Sequence, residues 1–355
     1  MDSALVEAIK KKAYQAIDLK VFPGCVIGVT RKSDEAIVIP MDHFTYDANA
    51  SAVRDDSIFD VASITKAIPT SSLALKLLGE NKLSLEDKVI DFVPDVKNCY
   101  REEILIRHLL TQTLDYSFRL SEHKNRSPEE ILKVIFESEL KCPPGKTYYY
   151  SNATSILLGM VVERIYGDSL DILGKKYFFN PLGMKNTAFN ASGMDKSRIL
   201  PTEIDDWRGR VIQGEIHDES AYKLTMKGPV GSAGLFSTVP DLLKFLRMLL
   251  NEGEAEGVEI LSGKILNQVH ENALTGLFFV TGLGWELAQK KYMGEKSTPR
   301  TFGKTGFTGC VCICDLSLNI GLVILSNYSF PRRKPNMDAI NFFRREIANI
   351  VFHEL

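Results

Sequence analysis

The strand-forming runs of this chain lie near its two ends, and that placement limits the folds open to it. Pro23-Gly24 breaks into the apolar run Cys25-Val26-Ile27-Gly28-Val29-Thr30. A turn around Lys32-Ser33-Asp34 leads to a second run over 36–40, which together read as a hairpin. Comparable runs return only at 282–287, 300–303, 310–316 and 320–326. Between them the pattern is helical. Residues 66–80, 128–140 and 240–251 have helical spacing, the last through Leu242, Leu243, Phe245, Leu246, Leu249 and Leu250. Ile156-Leu157-Leu158-Gly159-Met160-Val161-Val162 reads as a buried helix. Helices also open and close the chain, over 4–18 and 335–353. The expectation is an α+β fold: an antiparallel sheet flanked by N- and C-terminal helices, with a large, mainly helical lobe inserted. We divide it as 1–66 plus 275–355 for the sheet lobe and 67–274 for the helical lobe. The segment 190–232 has weak periodicity and reads as a long surface excursion.

Forty-three basic and 45 acidic residues give a net charge of −2, which offers no global attraction to nucleic acid or an anionic membrane. No run of about 18 apolar residues exists to span a bilayer. Met1-Asp2-Ser3-Ala4-Leu5 lacks the basic and apolar regions of an export signal, so the default location is cytoplasmic. Cys310, Cys312 and Cys314 alternate and therefore face one side of a strand. Their spacing is not that of a zinc finger, and buried thiols are expected rather than a metal site.

Three polar fragments carry the chemistry. Ser63-Ile64-Thr65-Lys66 sits where an apolar approach, Ile58-Phe59-Asp60-Val61-Ala62, turns into a helical stretch. A serine and a lysine three residues apart share one helix face, and the free N–H groups of a helix start favour an oxyanion. The same spacing recurs at Ser121/Lys124, Ser138/Lys141 and Ser220/Lys223, so the spacing alone decides little, and Ser63 as a simple N-cap stays open. Tyr150-Ser151-Asn152 follows the loop signal Pro143-Pro144-Gly145 and precedes an apolar helix. Tyr150 becomes a base only if nearby lysines lower its pKa; packing with Tyr148 and Tyr149 at a seam is the other reading. Lys304-Thr305-Gly306, between Gly303 and Gly309, offers a strand edge and a cation, or merely a glycine-rich bend. Together the parts suit covalent acyl transfer.

With these motifs the chain resembles the serine β-lactamase and penicillin-binding-protein superfamily, in its class C β-lactamase and family VIII esterase branch. The likeness extends through Pro23-Gly24-Cys25-Val26, Phe59-Asp60-Val61-Ala62-Ser63-Ile64-Thr65-Lys66, and Ile106-Arg107-His108-Leu109-Leu110-Thr111-Gln112-Thr113. It continues through Tyr150-Ser151-Asn152, Pro181-Leu182-Gly183-Met184, Gly234-Leu235-Phe236-Ser237-Thr238 and Gly303-Lys304-Thr305-Gly306-Phe307-Thr308-Gly309. The resemblance implies that Ser63 is the acylated nucleophile, Lys66 its proton acceptor or relay, and Tyr150 a general base. It implies that Asn152 binds a substrate amide and that Lys304 with Thr305 binds a substrate carboxylate. The backbone N–H groups of Ser63 and Phe307 form the implied oxyanion hole. Relatives often carry histidine at the position of Lys304, and the permanent charge of lysine tilts the expectation toward carboxylate-bearing substrates. His217-Asp218 is family-like and reads as a loop-structuring pair.

The resulting expectation is a serine hydrolase with its site between the lobes, acting on a small-molecule or short-peptide ester or amide. Esterase, D-amino-acid peptidase and β-lactamase chemistry all remain open, with 190–232 and 252–300 lining the pocket. Neither metal nor organic cofactor is required, and no nucleic acid or membrane partner is expected. The alternative is a non-catalytic ligand-binding or sensor protein of the same fold.

Overall fold

A computed structural model describes residues 3–32 and 36–354. Six strands form one antiparallel sheet: β1 (Gly24–Thr30), β2 (Ile37–Asp42), β3 (Glu286–Leu287), β4 (Phe302–Thr305), β5 (Val311–Asp315) and β6 (Ile320–Ser326). Their order is β3-β4-β5-β6-β1-β2. β1 and β6 pair from Cys25↔Ser326 to Thr30↔Gly321, so the early and late strands meet inside one sheet. The α+β expectation holds. The turn expected around Lys32-Ser33-Asp34 lies partly outside the described residues.

The main helices are α1 (Ser3–Asp18), α2 (Ser72–Gly79), α3 (Asn152–Tyr166), α4 (Glu219–Leu224), α5 (Val239–Leu250) and α6 (Asp338–Glu354). Side chains of a strand alternate between faces, and here the two faces belong to two cores. Val311 and Ile313 join Cys25, Ile27 and Leu322 under α1 and α6, where Leu5, Ile9, Ile340, Phe343 and Ile347 are buried. Cys310, Cys312 and Cys314 face the opposite core, shared with α5 and the helical region. Burial pushes the Cys310 thiol up to about 11; it packs as a small apolar group. α5, from the middle of the chain, lies against β1. A Cβ on Gly28 would fall 2.3 Å from Val239 Cγ1 and 2.7 Å from Leu243 Cδ1, so glycine sets this helix-to-sheet distance.

Two expectations need correction. The helix over 66–80 is broken: a 3₁₀ turn over Ala62–Lys66 and a wide turn over Ala67–Ser71 precede α2. Ile68 is extended at φ −118°, ψ 109°, as the residue before a proline tends to be. The segment 190–232 is not a bare excursion. It holds the hairpin Glu203–Asp205/Arg210–Ile212 and α4, tied down by buried polar groups rather than by apolar periodicity.

Candidate active site

Ser63 stands on the 3₁₀ turn, with Val61 rather than Ser63 at the N-cap position. The simple capping reading therefore fails. The turn starts from Ala62, a non-glycine residue at φ +47°, a conformation that costs on the order of 1–3 kcal/mol. Buried Asp60 holds it there, accepting the Ala62 N–H at 2.8 Å with one oxygen and the His217 N–H at 2.7 Å with the other. The strand Phe59–Asp60 pairs with Leu235–Ser237, and Thr65 Oγ1 accepts the Leu235 N–H at 3.1 Å. The Ser63 segment is thus pinned on both sides.

Lys66 is buried and uses all three of its donors. Nζ lies 3.2 Å from Ser63 Oγ, 2.7 Å from Asn152 Oδ1 and 2.7 Å from the Ser232 carbonyl. Gly231 brings that carbonyl in, since a Cβ there would stand 2.2 Å from the Ser155 carbonyl oxygen. Asn152 Nδ2 donates to Asp218 Oδ2 at 2.9 Å. Asp218 caps α4 through the Ala221 N–H, 2.8 Å from Oδ1. Both ends of the Asn152 amide are therefore engaged within the protein. Asp218 turns the carbonyl end toward Lys66.

Tyr150 approaches Ser63 from the start of α3, where Ser151 is the N-cap and donates its backbone N–H to Gln112 Oε1 at 2.9 Å. Tyr150 as a whole residue is 42% exposed. Its ring centroid is 5.1 Å from Lys66 Nζ and 4.5 Å from Lys304 Nζ. Burial of the hydroxyl end raises the phenol pKa. The two ammonium charges and a hydrogen bond with Ser63 outweigh that and hold it below the ordinary value. Desolvation likewise holds Lys66 below the ordinary lysine range, assisted by the charge of Lys304. The seam-packing role falls to the neighbours instead: Tyr148 stacks on Phe279 at 3.6 Å, and Tyr149 donates to the Phe118 carbonyl at 3.4 Å.

Lys304 faces the same side of the sheet as Cys312, its partner in register. Its ammonium is not free. Nζ lies 2.8 Å from Glu286 Oε1, and Glu286 Oε2 accepts the Tyr292 hydroxyl at 2.8 Å. Burial opposes the charge on Lys304, but the Glu286 carboxylate more than compensates, and the lysine pKa rises above its ordinary value. Thr305, next along the strand, is partly exposed.

Beyond β4 the chain bends at Gly306 and presents Phe307, 40% exposed. Thr308 Oγ1 donates to the Asp60 carbonyl at 2.7 Å, fastening this bend to the Ser63 segment. From α6, Arg344 Nη2 reaches the Gly306 carbonyl at 2.9 Å and the Cys310 carbonyl at 2.8 Å. The backbone N–H groups of Ser63 and Phe307 have no acceptor among the described residues. His217 stacks against Phe307 at 5.5 Å and pairs through Nε2 with Glu203 Oε2 at 2.9 Å. Glu203 also accepts from Arg333 Nε at 2.8 Å. Burial raises the Glu203 carboxyl, but His217 and Arg333 hold it down at about 2.

Direct contacts therefore link Ser63, Lys66, Tyr150, Asn152 and Lys304, with Thr305 and the Phe307 bend following Lys304 in the chain. Lys66 and Lys304 also line a small cavity with Gln112, Tyr148 and Glu286. A wider surface groove lined by Phe92, Leu132, Met160 and Leu224 contains none of these side chains. Reasoning from sequence missed Glu286, Gln112 and the Ser232 carbonyl, and gave Asp218 a loop-structuring part but not its bond to Asn152. The one available signal was a lone carboxylate, Glu286, inside the apolar run 282–287. The arrangement supplies a hydroxyl beside an amine, a phenol of lowered pKa and a pair of unpaired N–H groups.

The β-lactamase family model matches residues 15–342. The chain belongs to the β-lactamase family. Its curated β-lactamase-family relatives include a putative D-alanyl-D-alanine carboxypeptidase of Escherichia coli K12, 27% identical over 79% of this chain and 72% of that protein. An N-acetylmuramyl-L-alanine amidase of Bacillus subtilis 168 is 26% identical over 80% and 72%. Among solved structures, EstCE1, a hydrolase with promiscuous acyltransferase activity, superposes with a TM-score of 0.78 at 19% identity, covering 98% of each chain. The octameric penicillin-binding protein homologue of Pyrococcus abyssi gives 0.72 at 23% identity over 96% of this chain and 76% of that one. These structures share the family's fold with this chain. No helix among the described residues is long and apolar enough to cross a membrane.

Proposed function

We propose that this protein is a serine hydrolase that works through a Ser63 acyl-enzyme on a small ester or amide, in a cleft between a sheet lobe and a helical lobe. The observation that carries the reading is Lys66 Nζ at 3.2 Å from Ser63 Oγ, with Tyr150 set between Lys66 and Lys304. Ser63 Oγ attacks the carbonyl carbon, and its proton passes to Lys66 or Tyr150. The carbonyl oxygen gathers negative charge opposite the N–H groups of Ser63 and Phe307. As the tetrahedral intermediate collapses, the bond to the leaving alcohol or amine breaks and that group takes up the proton. Water then loses a proton to the same base, attacks the acyl-enzyme and regenerates the serine. Asp218 and Asn152 act at one remove by aiming Lys66.

The test is intact-mass spectrometry after incubation with a fluorophosphonate, with peptide mapping of the adduct. One stoichiometric adduct on Ser63, absent from Ser63→Ala, is the expected result, together with loss of ester turnover in that variant. Folded protein that forms no adduct would refute the reading and favour a ligand-binding protein of the same fold.

A further inference from the structure

Lys66, Lys304 and Arg333 are each answered from within the protein. Lys304, 4% exposed, is paired with Glu286, 8% exposed, at 2.8 Å. The second oxygen of Glu286 is anchored by Tyr292, so the carboxylate is fixed at both ends. Lys66 spends its donors on Ser63, Asn152 and Ser232. Arg333, behind Phe307, is 2.8 Å from both Glu203 and Glu219. The aromatic groups nearby carry no charge: Tyr150 and Phe307 are part-exposed, and Phe279 lies stacked on Tyr148.

We infer that Glu286 is a resident carboxylate that already fills the place on Lys304 where a substrate carboxylate binds, so that the site selects neutral esters over carboxylate-bearing ones. This rests on the Ser63 acyl-enzyme reading and specifies its substrate class. A ligand carboxylate arriving at Lys304 must either displace Glu286 or share one ammonium with it. Displacement leaves a buried carboxylate with only the Tyr292 hydroxyl, and sharing sets two like charges together in a desolvated site. An aryl or alkyl ester meets neither cost and has aromatic faces to lie on. A carboxypeptidase must accommodate the terminal carboxylate of its peptide, so Glu286 on Lys304 weighs against that activity here.

The test uses the full chain and a matched pair of esters, phenyl butyrate and 3-carboxyphenyl butyrate, each rate referred to its own alkaline hydrolysis. Wild type is expected to favour the neutral ester by at least tenfold in kcat/KM. Glu286→Gln should narrow that preference about tenfold, while Glu286→Asp, which keeps the charge, should retain it. Thermal melts establish that each variant is folded. If Glu286→Gln does not fold, Glu286→Met removes the same charge at similar volume and should shift the ratio in the same direction. A wild type that takes both esters equally, or a ratio unmoved by the folded variant, overturns the inference while leaving the acyl-enzyme reading intact. Should neither ester turn over, labelling rates at Ser63 with a neutral and a carboxylate-bearing aryl phosphonate are compared by the same criteria. Absence of any label on Ser63 overturns both readings together.

Discussion

Replacing Glu203 by Gln removes the charge that joins His217 to Arg333 behind Phe307. The carboxyl is held at about 2 against an ordinary 4.5. At about 1.4 kcal/mol per pH unit, that difference corresponds to roughly 3 kcal/mol of folding stability. The sign follows from the depressed value. The contribution is complete above the unfolded carboxyl's 4.5, declines as the pH falls, and is gone below about 2. At pH 3 about half should remain. Urea unfolding of wild type and Glu203→Gln at pH 7 and pH 3, followed by tryptophan fluorescence, reads the gap directly. The expected gap is about 3 kcal/mol at pH 7 and about half that at pH 3. A gap below about 1 kcal/mol at neutral pH, or one that does not change with pH, would refute the argument. Labelling of Ser63 by fluorophosphonate should also slow in the folded variant, because His217 loses the partner that keeps its ring against Phe307.

Tyr150 and Lys66 are both held below their ordinary values, so their unprotonated forms appear at lower pH than in a free phenol or amine. kcat/KM on a neutral ester should rise with pH to a plateau whose midpoint lies below the ordinary phenol value of 10.0. Loss of that limb in Tyr150→Phe assigns the proton to Tyr150; a midpoint at or above 10.0 contradicts the electrostatic reading. Asp218→Asn should let the Asn152 amide turn and release Lys66, lowering kcat about tenfold or more with a smaller change in KM. An unchanged kcat would mean that Asn152 is held without Asp218. Arg344→Met leaves the Gly306 and Cys310 carbonyls without their buried donor. The expected cost is roughly 3 kcal/mol in urea unfolding, and retention of wild-type stability would discount this clamp.

How far the molecule could be read from its residues differs from place to place. The sheet was legible because alternation is local: Cys310, Cys312 and Cys314 were bound to share a face whatever they packed against. Ser63, Lys66 and Tyr150 were legible as motifs with chemical content. Pro69 should have warned against a continuous helix over 66–80, since Ile68 before it is driven out of the helical region. Arg344 was not legible, and Glu286 showed only as a lone carboxylate in an apolar run, with nothing to name its partner. Each matters through one partner distant in sequence, Lys304 or the Gly306 carbonyl, and no periodicity encodes a buried ion pair or a clamp on a carbonyl. The stretch 190–232 misled for the same reason, because Glu203, His217 and Asp218 hold it by polar contacts that pattern reading scores as surface.

The pairing of β1 with β6 imposes an order on events during synthesis. A ribosome releases Gly24–Thr30 roughly 300 residues before the strand that must lie beside it, so the hairpin waits with one edge open. Ser63 and Lys66 likewise leave the ribosome roughly 240 residues ahead of the Phe307 bend, and further still ahead of the Arg344 side chain that clamps it. A half-made chain therefore holds the Ser63 hydroxyl without the Phe307 N–H. On the acyl-enzyme proposal, reactivity is withheld until the sheet has closed.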